Sequence, residues 1–157
     1  MSSHTAQLTW SLNKGDDFAT NRYSRAHNWT FDGGLTVPGS SSPTVVPTPW
    51  SDPAAVDPEE AFVASVSSCH LLWFLHLARV KGYVVESYSD DAEGFLEKNA
   101  AGKPFISRIE LRPATKFAGG KQPTAAALDA LHHAAHDACF IANSIITKVT
   151  CIPHLVD

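Results

Sequence analysis

Cys69 and His70 stand side by side in the most apolar stretch of the chain, DPEEAFVASVSSCHLLWFLHLARVKGY, residues 57–83. A helix that only fills a core has no need of a thiol next to an imidazole. Spacing limits what each can do. Consecutive side chains diverge by about 100° around a helix, so His70 cannot simply act as the base for Cys69, and packing is its default role. Cys69 lies roughly three turns into the helix, whereas the helix N-terminus favours an anion only within about the first turn. A reactive thiolate would therefore need a cation from another segment, and Arg22 and Arg25 of NRYSRAH are the arginines best placed to supply it. Glu59 and Glu60 occupy the first turn, where the helix dipole alone favours carboxylates. Turned inward, one of them would grip an arginine in a two-point ion pair and fix the guanidinium near the thiol.

Two more cysteines complete the set, Cys139 at the end of TAAALDALHHAAHDAC and Cys151 in a strand-like run where core filling is its expected role. A thiolate that reacts with peroxide becomes a sulfenic acid, which a neighbouring thiol captures as a disulfide. Three cysteines allow three pairings, and spacing alone does not choose among them. His132, His133, His136 and Cys139 also fall at helical spacings that could hold zinc on one face. The competing expectation is that these histidines are solvated surface residues.

The elements that must position these groups can be read from pattern. Gln7–Leu12 alternates weakly, and Asn13-Lys14-Gly15-Asp16-Asp17 is turn chemistry. His27–Phe31 alternates as a strand and stops at Asp32-Gly33-Gly34. Residues 38–53, rich in proline and serine, predict a loop over the surface that could rim a pocket. Asp57-Pro58-Glu59-Glu60 is a capping box with proline at the first helical position, and it predicts a helix that runs to about Lys81 and ends on Gly82. Apolar residues on nearly every face predict that this helix is central and covered on most sides. Strands are predicted from Tyr83 to Glu97, from Ile106 to Phe117 and from Ile145 to Ile152, with a second helix from Thr124 to about Cys139. The order is βββ-α-ββ-α-β, an α+β chain with largely antiparallel pairing.

Composition bounds the function. The chain has 157 residues, 44% of them hydrophobic and 18% charged, which is the make-up of one ordinary globular domain, 1–157. Its net charge of −4, with no run of Lys or Arg, argues against a nucleic-acid partner. MSSHTAQLTW lacks the features of a signal peptide. Ser67, Ser68, His70, His76 and Arg79 interrupt the apolar helix, which predicts a buried helix and no membrane span. Sparse, odd-numbered cysteines then imply a reducing, cytoplasmic setting in which any disulfide is transient.

Pro58-Glu59-Glu60-Ala61-Phe62, then Ser67-Ser68-Cys69, then Ala138-Cys139-Phe140-Ile141-Ala142-Asn143-Ser144 resembles the OsmC/Ohr family of thiol peroxidases, named for osmotic induction and organic hydroperoxide resistance. Glu59 precedes Cys69 at the family's ten-residue interval, and the likeness extends over roughly residues 20–153. Phe140 stands where the hydroperoxide-resistance branch typically has proline, so the resemblance is to OsmC-like relatives. It implies mostly antiparallel sheets wrapped around two central helices in an intertwined homodimer. It also implies that Cys69 is the peroxidatic thiol and Cys139 the resolving one, with Arg25 (failing that, Arg22) beside the thiolate and Glu59 holding that arginine. The substrates would be organic hydroperoxides, met in an apolar pocket expected to involve Trp50, Trp73 and Phe140. No bound cofactor is implied, and an external dithiol such as a dihydrolipoyl group would reset the site. The rival expectation is a non-catalytic protein of the same fold that binds a small ligand, or a metal through His132, His136 and Cys139.

Overall fold

The computed structural model describes residues 2–156, which form two compact units that meet in the chain between residues 61 and 62. The first unit is a three-stranded antiparallel sheet, β1 (Ala6–Thr9), β2 (His27–Phe31) and β3 (Thr36–Gly39), in that spatial order. β3 carries Pro38, which cannot donate to a ladder, and it lies accordingly at the sheet edge. The loop that follows is tied back on itself. Ser40 is fully buried, its amide donates to the Val56 carbonyl, and its hydroxyl accepts from the Asp52 amide at 2.9 Å. Trp10, Phe18 and Tyr23 cluster nearby, with the Phe18 and Tyr23 rings 4.5 Å apart.

Helix α1 (Pro58–Val80) begins as its sequence requires. The Glu60 amide donates to Asp57 Oδ1 at 2.7 Å, and the Asp57 amide donates to Glu60 Oε2 at 3.2 Å. Gly82 ends the helix with a positive φ of 77°, a backbone state glycine enters without steric cost. The Tyr83 amide reaches back to the Ala78 carbonyl, closing the helix in the expected manner.

The second unit is built on a long bent ribbon. β4 (Val84–Asp90) pairs antiparallel with β7 (Pro113–Ala118), and β5 (Glu93–Lys98) pairs antiparallel with β6 (Pro104–Leu111). The two long strands expected from sequence are therefore each split in two, at Asp91-Ala92 and at Arg112. Asp90 explains the bend: its Oδ1 accepts from the Arg112 amide at 2.6 Å, and Pro113 has no amide to continue a ladder. Its Oδ2 accepts from Ser67 Oγ at 2.5 Å, which fastens the ribbon's corner to α1. Of the run 145–152 expected as the last strand, β8 takes Lys148–Cys151; a 3₁₀ turn (Ala142–Ser144) precedes it and a further short strand, β9 (His154–Leu155), follows. These add in parallel to β6 and β7, so antiparallel pairing predominates with two parallel closures.

Helix α2 (Ala125–Ala138) is capped by Thr124, whose hydroxyl accepts from the Ala127 amide at 3.2 Å. It packs Leu128, Leu131 and Ala135 against Phe74 and Ala78 of α1 and Phe117 of β7. A second cluster joins Val66 of α1 to Ile109 and Leu111 of β6. Only one stripe of α1 is fully enclosed, Val66, His70, Phe74 and Ala78, four residues apart each time. Elsewhere the helix is apolar but open: Leu72 is 65% exposed and Val80 57%. The expectation that α1 is covered on most sides thus fails in the single chain, because one β-ribbon and one partner helix enclose only a single stripe of this 23-residue helix.

α1 lies close against the ribbon at Gly94 of β5, where a Cβ would lie 2.5 Å from Val63 Cγ2. Val63 is β-branched on a helix and has little rotamer freedom to yield. Gly94→Ala should lower stability by about 1–3 kcal/mol in urea titrations. The loss should shrink in a Val63→Ala background, and an equal loss in both backgrounds would show that the contact is not the cause.

Candidate active site

The register of α1 sorts its chemical groups onto two faces. Residues 66, 70, 74 and 78 point into the core, so Cys69, Leu72, Trp73 and His76, at i, i+3, i+4 and i+7, form the neighbouring stripe. With Phe140 they line an open, mostly apolar pocket of about 310 Å³. Trp73 is its pivot, standing edge-on to Phe140 (centroids 5.6 Å apart, planes at 87°) and to His76 (5.8 Å, 87°). Trp50, also expected to rim a pocket, belongs to the first unit, where its carbonyl accepts from the Arg25 amide at 2.9 Å.

Cys139 terminates α2 as its C-cap and is only 1% exposed, whereas Cys69 is half-buried. The two thiols are neighbours and unbonded. Burial first, and then the hydrogen bond with Cys69, push the Cys139 thiol up to about 11, so it is protonated at neutral pH. The turn that follows aims an amide at its sulfur, Ala142 N to Cys139 Sγ at 3.3 Å. Asn143 holds that turn in place by donating from Nδ2 to the Asp137 and Cys139 carbonyls at 2.8 and 3.0 Å. This arrangement of one accessible thiol over an apolar pocket, backed by a second thiol that is enclosed and protonated, can oxidise and then close a disulfide.

The other two residues expected at the site are placed in the first unit. The Arg25 guanidinium donates from Nη1 to the Tyr23 carbonyl at 2.5 Å and from Nη2 to Asn21 Oδ1 at 2.5 Å, and it lies 3.7 Å over the Tyr23 ring. Arg22 pairs with Asp17 at 3.2 Å. Among the described residues Glu59 forms no ion pair with either arginine.

His70 and His132 are what a reading of sequence missed. His132 is not a solvated surface residue: it is 2% exposed and lies against the Phe74 ring with centroids 4.2 Å apart. Its Nδ1 is 2.9 Å from His70 Nε2. The two rings are parallel within 2° but their centroids are 5.2 Å apart, so they meet edge to edge through one N–H···N bond. Cys151 Sγ lies 3.9 Å from the same His70 nitrogen. The expected zinc set of His132, His136 and Cys139 is therefore divided, since Cys139 turns to Cys69 and His132 to His70. The pattern did hold a clue, because His70 falls in the four-residue stripe of α1 and His132 in the Leu128-Leu131-Ala135 stripe of α2.

Residues 51–152 match the family model for OsmC-like protein. An OsmC-like protein of unknown function from Vibrio cholerae is similar at 50% identity and a TM-score of 0.95, over 98% of this chain and 99% of that one. At fold level the chain also resembles an organic hydroperoxide resistance protein from Elizabethkingia anophelis (14% identity, TM-score 0.71, 100% and 97% of the two chains). The organic hydroperoxide resistance protein OhrB of Bacillus subtilis is similar in the same sense (19%, 0.58, 97% and 98%). No curated protein matches the chain.

Burial lowers the His70 imidazole to about 4, Asp90 opposing and His136 adding to the effect, and it lowers His132 to about 3, with His70 contributing. Both values fall below the ordinary 6.5, so the unfolded chain binds more protons in mild acid. The pair's contribution to stability is complete above about pH 6.5 and is lost as pH falls towards 4. Urea titrations of chelator-treated protein should show a loss of roughly 2–4 kcal/mol across that window. The double variant His70→Phe/His132→Phe should flatten the profile, and an unchanged slope would acquit the imidazoles.

Proposed function

The chain belongs to the family of OsmC-like proteins, and from that premise we propose that it is a thiol-dependent peroxidase that reduces organic hydroperoxides. The observation that carries this reading is the juxtaposition of a half-buried Cys69 on an apolar pocket with a buried, protonated Cys139 behind it.

The Cys69 thiolate attacks the distal oxygen of ROOH. The O–O bond breaks, the sulfur is oxidised to a sulfenic acid, and the alkoxide leaves as ROH with a proton from solvent. Cys139 then attacks the sulfenic sulfur; its proton and the sulfenic hydroxyl depart as water, and a Cys69–Cys139 disulfide remains. The amide of Ala142, already directed at the Cys139 sulfur, supports the negative charge that builds there as the thiol is deprotonated. An external dithiol of the dihydrolipoyl kind reduces the disulfide and is itself oxidised to a cyclic disulfide. Trp73, Leu72 and Phe140 favour an alkyl or aryl group at the mouth, which is the physical basis for preferring organic peroxides to hydrogen peroxide.

In this reading Arg25 supplies the cation that stabilises the thiolate and the departing alkoxide, and Glu59 holds it. Arg25 must then exchange its present partners Asn21 and Tyr23 for that role. The active form is a homodimer in which a second copy covers the apolar side of α1 left open in one chain. The whole of 1–157 acts as one such domain, in a reducing cytoplasm.

One equivalent of cumene hydroperoxide should remove two thiols per chain in the wild type. Cys69→Ser should abolish peroxide consumption, and Cys139→Ser should gain one oxygen by intact mass but fail to turn over. Equal consumption by wild type and Cys69→Ser would end the peroxidase reading. Arg25→Ala should slow the first step by about 10²-fold in stopped flow, and an unchanged rate would reject that arginine alone.

A further inference from the structure

His70 on α1, His132 on α2 and Cys151 on β8 bring one ligand atom each, Nε2, Nδ1 and Sγ, within 4.8 Å of one another. None of the three belongs to the thiol pair of the pocket. Packing alone does not account for them. His70 and His132 are each more than nine-tenths buried, and His70 Nδ1 and His132 Nε2 have no hydrogen-bond partner among the described residues. An apolar pair would fill the same space without that cost.

We propose that His70, His132 and Cys151 form a binding site for a zinc-class divalent cation, entered from the cleft beside α2. Two imidazoles and a thiolate are the donor set of a borderline-soft metal in tetrahedral geometry, and they are a poor set for magnesium or calcium, which demand oxygen ligands. Two of the three separations are near those required, and the third, His132 Nδ1 to Cys151 Sγ, lies within 4.8 Å and must close as the metal draws the donors in. Ligand bond lengths of about 2.0–2.1 Å to nitrogen and 2.3 Å to sulfur place tetrahedral donors roughly 3.3–3.6 Å apart. The present 2.9 Å between the ring nitrogens and 3.9 Å between sulfur and His70 each need to change by only a few tenths of an ångström.

The fourth position faces a cleft of about 640 Å³ lined by His132, Cys151, Asp129 and His136, among others. It leaves one coordination site for water, as in zinc centres that keep an open position. Asp129, three residues before His132 on α2, presents a carboxylate to the same cleft. Asp90 also lies close enough for its charge to act on His70 and Cys151, but its oxygens already accept from Ser67 and Arg112.

The proton balance is simple. Both imidazoles are neutral at pH 7, so each offers a lone pair once the inner N–H proton of the donor ring moves to that ring's outer nitrogen. The Cys151 thiol, which burial first and then Asp90 and Asp129 push up to about 12, gives its proton to solvent when the metal takes the sulfur. One proton leaves per ion bound, and no electron is transferred.

The test is titration of reduced, chelator-treated full-length protein with Co²⁺ and Zn²⁺. The expected result is one equivalent of Co²⁺ bound, with a near-ultraviolet thiolate-to-cobalt charge-transfer band that Zn²⁺ displaces. Cys151→Ser should lose the band and weaken Zn²⁺ by more than the roughly 10–100-fold typical of removing an outer-shell partner. Cys69→Ser/Cys139→Ser, which disables the proposed peroxidase chemistry, should retain both band and affinity. Failure of the wild type to bind, or survival of the band in Cys151→Ser, would overturn the site. Loss of the band in the Cys69/Cys139 variant would do the same by assigning the metal to the other thiols. Should Cys151→Ser fold poorly by circular dichroism, the comparison of wild type with the Cys69/Cys139 variant decides alone.

Discussion

The rotational setting of α1 about its own axis governs everything else in the second unit. Val66, His70, Phe74 and Ala78 recur every four residues, and their burial against α2 and the ribbon fixes which way the helix faces. A rotation of one residue, about 100°, would turn Cys69 into the core and His70 out to solvent. Burying Phe74 alone accounts for a few kcal/mol of side-chain transfer, and its replacement by a small residue typically costs about 3–5 kcal/mol. Such a stripe can therefore hold a thiol in a position it would not choose for itself. Ser67 reinforces the setting through Asp90, which also turns the ribbon, so the helix register and the strand corner are fixed by one carboxylate.

The same register separates two kinds of chemistry that are adjacent in sequence. Cys69 opens onto a pocket with Trp73 and Phe140, while His70 meets His132 and Cys151 in the interior. Three sulfurs consequently occupy three environments. Cys69 is half-buried on the apolar pocket, Cys139 is enclosed beside it with an amide aimed at its sulfur, and Cys151 is half-buried beside imidazoles on a separate cleft. Burial raises the Cys139 and Cys151 thiols, so each stays a neutral thiol until something draws off its proton. In the proposed peroxidase chemistry that demand on Cys139 comes from a sulfenic acid on its neighbour. For Cys151 the proposed cation would supply it.

Much of this was legible in residue order. The Asp57-to-Glu60 box, the glycine at position 82 and the Thr124 cap are local rules written in local residues, and the helices begin and end accordingly. The alternation of 27–31 gave its strand, but the runs 83–97 and 106–117 concealed corners. Those corners depend on Asp90 reaching Arg112, a contact across 22 residues that no periodicity encodes. The site divided in the same way. Cys69 and Cys139 were paired only through the family resemblance, since spacing left three pairings open, whereas His132 was mistaken for a surface residue because α2 is alanine-rich and its buried face is narrow. Only the joint placement of Leu128, Leu131, His132 and Ala135 against Phe74 reveals that the ring is inside.

A buried imidazole pair is an expensive way to join two helices. Leucine and phenylalanine would pack α1 on α2 without desolvating four ring nitrogens, only two of which recover a partner from each other. Neutral imidazoles in an apolar shell also penalise acid, since each proton gained by the unfolded chain is one the folded pair resists. Core histidines are tolerable when every nitrogen is satisfied, and here two are not. Yet the rings are held parallel, at hydrogen-bonding distance, and next to the one thiol in the chain that the proposed peroxide chemistry does not use. Stability would have been better served by hydrocarbon at all three positions. The arrangement is intelligible once the three donors are taken together as ligands, because a cation that binds them recovers the free energy that their burial forfeits.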